Sequence, residues 1–66
     1  MEPSLADDKF IEESARTMIR AHNGSAALLC AENASKWNGR GDLEAAELWL
    51  RILQVVRSLE AEMISR

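Results

Sequence analysis

Glycine occurs only at residues 24, 39 and 41 and proline only at residue 3, so a helix can be interrupted in just two places after it starts. Glycine tolerates the left-handed backbone that ends a helix, and proline fits only at a helix start. The spacing therefore predicts three helices, about 5–22, 26–38 and 43–65, joined by two tight corners within a single domain of residues 1–66. Pro3 bars extension backwards. Ser4 can cap the first helix, with Asp7 three residues later as a variant of the capping box. Glu2, Asp7, Asp8, Glu12 and Glu13 come early and Arg16, Arg20 and His22 late, the order favoured by the helix dipole. Phe10, Ile11, Ala15, Met18, Ile19 and His22 recur at steps of three and four and share one face.

Asn23-Gly24 ends that helix, and Ser25 is placed to cap the next, whose inner side carries Ala27, Cys30, Ala31, Ala34 and Trp37. Gly39 and Gly41 stop the second helix and Asp42 can cap the third, with Glu44 and Glu47 in its first turns. The Arg40-Gly41-Asp42 tripeptide thus reads as a corner, with a solvated arginine, a turning glycine and a capping aspartate. An adhesion motif would need an extracellular setting that nothing in the chain marks.

The third segment is the longest, ~23 residues or ~34 Å. Ala45, Trp49, Ile52, Val56, Leu59 and Met63 form one apolar seam. Leu43, Ala46, Leu50 and Leu53 form a second, and Leu48 and Val55 a weaker third. Only Glu47, Arg51, Gln54 and Ser58 make a polar strip, so the apolar arc exceeds the ~100° that one neighbour covers. Folding back at residues 39–41 sets Trp37 against Leu43 and Ala46, Ala34 against Ala46 and Trp49, and Cys30 and Ala31 against Leu50 and Leu53. Large side chains then face small ones. The ~13-residue second helix ends opposite about Val56, which leaves Val56, Leu59, Met63 and Ile64 needing other cover, with Leu48 and Val55 turned outward. The expected fold is all-α, a three-helix up-down-up bundle or a helical hairpin plus an N-terminal helix. A homodimer formed through the third helix is expected, its contact made by Leu48, Ile52, Val55, Val56, Leu59 and Met63.

A chain of 66 residues buries a modest core, and small domains commonly add a disulfide, a metal or another chain. Cys30 is the sole cysteine and His22 the sole histidine, so neither a disulfide within the chain nor a zinc site of ordinary N/S ligands is available. Association with another chain remains, and no cofactor or metal is expected. Eight Lys/Arg and eleven Asp/Glu, net charge -3, are spread without a basic block, which disfavours nucleic acid and anionic membrane. A helix-turn-helix reading would put Asp42, Glu44 and Glu47 at the front of the recognition helix, where they repel phosphates. No apolar run approaches ~20 residues and the N-terminus is acidic, so a cytoplasmic protein is expected. The Asn33-Ala34-Ser35 triplet lies inside a helical pattern and is not read as a glycosylation acceptor. His22 could titrate near neutrality, but its only candidate nucleophile, Cys30, lies two turns along a different helix. No catalytic role is expected.

The segment Ala31 to Leu53 resembles the half-to-half join of a tetratricopeptide repeat, with Ala34 and Trp37 before the turn, Gly41 and Asp42 at it, and Ala46, Leu50 and Leu53 after it. The chain has room for fewer than two such repeats, and a solenoid needs about three. Ala15, Met18, Ile19, His22, Gly41, Asp42, Ala46, Trp49 and Ile52 are similar to a pattern in short uncharacterised bacterial proteins, chiefly alphaproteobacterial. That resemblance implies a compact helical fold in a bacterial cytoplasm and no particular activity.

Two functions fit these expectations. The first is a small homo-oligomeric module that binds protein through the apolar flank of the third helix. The alternative is an acidic regulator or inhibitor that occupies a basic site through Glu12, Glu13, Glu44, Glu47, Glu60 and Glu62.

Overall fold

The two glycine corners divide the chain as their chemistry demands. A computed structural model describes residues 8–64, which form α1 (Asp8–Ala21), α2 (Ala26–Gly39) and α3 (Leu43–Ile64). The expected Ser4 cap and Asp7 box lie outside the described residues.

The first corner is a β-turn. Ser25 N donates to His22 O at 2.8 Å, Gly24 takes φ +87°, and no other residue of the turn has positive φ, the arrangement of a type II turn. Ser25 itself, expected to cap α2 through its hydroxyl, makes no side-chain cap bond. Only its carbonyl joins the helix, accepting from Leu29 N at 3.0 Å.

The second corner is more fully bonded. Asp42 N donates to Trp37 O and Gly41 N to Asn38 O, both at 3.0 Å, with Gly41 at φ +82°. These two bonds are the pair that defines a Schellman termination of α2. Asp42 then starts α3: its Oδ1 accepts from Ala45 N at 3.0 Å and its carbonyl from Ala46 N at 3.1 Å. One residue therefore closes one helix and opens the next, so α2 and α3 can pair as a hairpin. Arg40 lies over the Trp37 ring, its guanidinium carbon 5.3 Å from the centroid, against an indole that the main core does not include.

The helices form a three-helix bundle in which α3 is the central element. Both α1 and α2 lie against it, and they touch each other far less. The core consists of Ile11 and Ala15 from α1, Ala26, Cys30 and Ala34 from α2, and Ala46, Ile52, Leu53 and Val56 from α3. Four of these are alanines, and the largest fully enclosed side chains are Val56 and Cys30. Small side chains let the helices approach closely, but each removes little apolar area from water. The large-against-small rungs form only in part. Ala34, Ala46, Cys30 and Leu53 are buried as expected, whereas Leu43 is 66 % exposed and Leu50 is exposed as well. The four share one face but spread over about 80° of arc, and the neighbours approach from the side of Ala46, Leu53 and Val56, which leaves Leu43 and Leu50 at the outer edge.

Candidate functional site

Along α3 the cover thins toward the C-terminus. Val56 is fully enclosed, Leu59 is half-buried, Met63 is 60 % exposed and Ile64 84 % exposed. The cause is length. Ala26, the first residue of α2, is packed in the same cluster as Val56, so the antiparallel α2 begins near that level and does not follow α3 to its end. At 1.5 Å per residue the eight positions from Val56 to Ile64 extend about 12 Å past it.

The first helix supplies what further cover there is. It runs in the same sense as α3 and leaves a groove on each side. One groove, of about 460 Å³, is lined by Phe10, Glu13, Thr17 and Met18 of α1 and by Leu48, Trp49 and the edge of Ile52 of α3. The other, of about 710 Å³, lies at the uncovered end between Arg16, Ile19 and Arg20 of α1 and Leu59, Glu62 and Met63 of α3.

The six residues expected to form the contact are therefore divided. Ile52 and Val56 are core residues of the protomer, 3 % and 0 % exposed, and cannot anchor a partner. Their seam is the one that α1 and α2 close over. Leu48 and Val55, expected to point outward, are half-buried and packed against the core, because α1 lies over their side of α3 rather than over α2. Leu59 is half-buried at the rim of the larger groove, and Met63 is open to solvent within it. Sequence reasoning did not include Ile19, Arg16, Arg20 or Glu62 in this site. The signal was present in part: Ile19 widens the apolar face of α1 by one position and lies between Arg16 and Arg20 in the chain.

The charges of the larger groove are unevenly matched within the protomer. Arg16 pairs with Glu12 one turn away at 3.4 Å, an exposed contact of the kind that contributes little. Arg20 and Glu62 have no ion-pair partner among the described residues. A similar exposed pair joins Arg51 to Glu47.

The acidic residues of the alternative reading do not converge. Glu12 and Glu13 lie on α1, while Glu47 and Glu62, fifteen positions apart on one straight helix, are about 22 Å from each other. Glu12 and Glu47 are already engaged by arginines.

Cys30 is enclosed between α2 and α3, and burial, then the negative charge of Glu60, push its thiol pKa up. A thiol so placed stays protonated and packs as a small apolar group. His22 is exposed at the first corner, where its backbone serves the turn, so the two residues considered for catalysis occupy different environments. Among the described residues no group of His, Cys, Asp and Glu is arranged to hold a metal ion. No helix there is long and apolar enough to cross a membrane. No family model, curated protein or solved structure matches the chain.

Proposed function

We propose that this protein is a small homodimeric helical module of the bacterial cytoplasm that acts by binding protein, with the open end of α3 as its contact. The observation that carries the reading is the exposure gradient from an enclosed Val56 to a bare Met63 and Ile64 on one continuous helix. Water contact with those side chains is unfavourable by about 25 cal/mol per Å² of apolar area. The core of the protomer, four-ninths alanine, has little stability to spare for leaving them uncovered. A second copy offers the same uncovered end, so one surface covers itself through a two-fold axis. The dispersed carboxylates favour this reading over an acidic inhibitor.

Light scattering coupled to gel filtration tests it. Wild-type protein at about 100 µM is expected at twice the 7.4 kDa chain mass, and Met63→Glu at the monomer mass with unchanged helicity. A wild-type protein that is monomeric throughout that concentration range refutes the reading.

A further inference from the structure

We infer that the dimer is built by the groove between α1 and the end of α3, with Arg20 of each copy paired to Glu62 of the other around an apolar centre of Ile19, Leu59 and Met63. This rests on the homodimer reading above and adds to it the surface and the registry. The groove has cations on one wall, Arg16 and Arg20 of α1, an anion on the other, Glu62 of α3, and is lined between them by Ile19, Leu59 and Met63. Arg20 and Glu62 are both exposed and have no ion-pair partner among the described residues. In a two-fold contact, if residue i of one copy meets residue j of the other, then j meets i. A two-fold axis running along this groove lays the acidic wall of each copy against the basic wall of its partner, so both charges are matched twice. The same operation stacks the exposed Met63 side chains over the opposite groove, giving an apolar middle with a charged rim. The charged rim sets orientation and the apolar middle supplies most of the affinity.

Charge exchange tests the registry. The dimer dissociation constant is measured by sedimentation equilibrium at about 0.05 M salt, where surface charges are least screened, for wild type, Arg20→Glu, Glu62→Arg and the variant carrying both. Each single change puts like charges in contact twice per dimer and is expected to raise the dissociation constant about tenfold or more. The doubly changed chain restores opposite charges and is expected within about threefold of wild type. Circular dichroism of each variant verifies an unchanged helical content. A wild-type dimer indifferent to either single change, or a double variant as weak as the singles, overturns this registry and leaves the homodimer intact. A monomeric wild type overturns both.

Discussion

Val56 and Met63 lie seven positions apart on one face of α3, and their truncation to alanine should have opposite consequences for stability and association. Val56 is fully enclosed by residues of all three helices. Val56→Ala removes two methyl groups, about 0.8 kcal/mol each in transfer, and leaves a void on the order of 50 Å³ at about 24 cal/mol per Å³, about 3 kcal/mol together. An unfolding entropy of about 2.1 cal/mol/K per residue converts this, for a chain of this length, into a fall in Tm of about 20 °C. Met63 is 60 % exposed in the protomer, so Met63→Ala should cost the protomer less than about 0.5 kcal/mol. The assay is urea unfolding followed by circular dichroism at one fixed protein concentration below the dimer dissociation constant, so that association does not contribute. Above that constant, Met63→Ala should weaken the proposed dimer. Equal losses of protomer stability for the two variants, or a Val56→Ala protein melting within a few degrees of wild type, would refute the packing described here.

Two further expectations concern the corners and the thiol. Asp42→Ala loses the bond to Ala45 N and should destabilise by about 1 kcal/mol, whereas Ser25→Ala, with no cap bond to lose, should change stability by less than about 0.5 kcal/mol; thermal melts of the two side by side decide it. Cys30 has a raised pKa when folded, so the unfolded chain ionises first as pH rises. Stability should then be unaffected by this group below the ordinary thiol range and decline as pH passes upward through it. Alkylation of native protein near neutral pH should proceed no faster than transient opening exposes the thiol, and rapid labelling of the folded chain would contradict the burial.

The number of helices, their order and both corners are local matters, and the sequence alone determined them. Gly24 and Gly41 take the positive φ that other residues avoid, and Asp42 caps the helix it precedes. Such features depend on bonds spanning at most five residues, so no distant contact can move them. The apolar excess of α3 was equally legible, since composition around a helix is independent of what packs on it. Which part of that excess is covered was decided only by tertiary structure. The same periodicity allowed α1 to lie on α2 or on α3, and its place on α3 encloses Ile52, half-buries Leu48 and Val55, and leaves Leu43 and Leu50 exposed beyond the α2 contact. A helix seam lists candidates for burial around an arc, while the direction from which a neighbour approaches selects among them. For the same reason the groove that joins Arg20 to Glu62 is absent from any reading of one helix at a time: its two walls lie about forty residues apart in the chain.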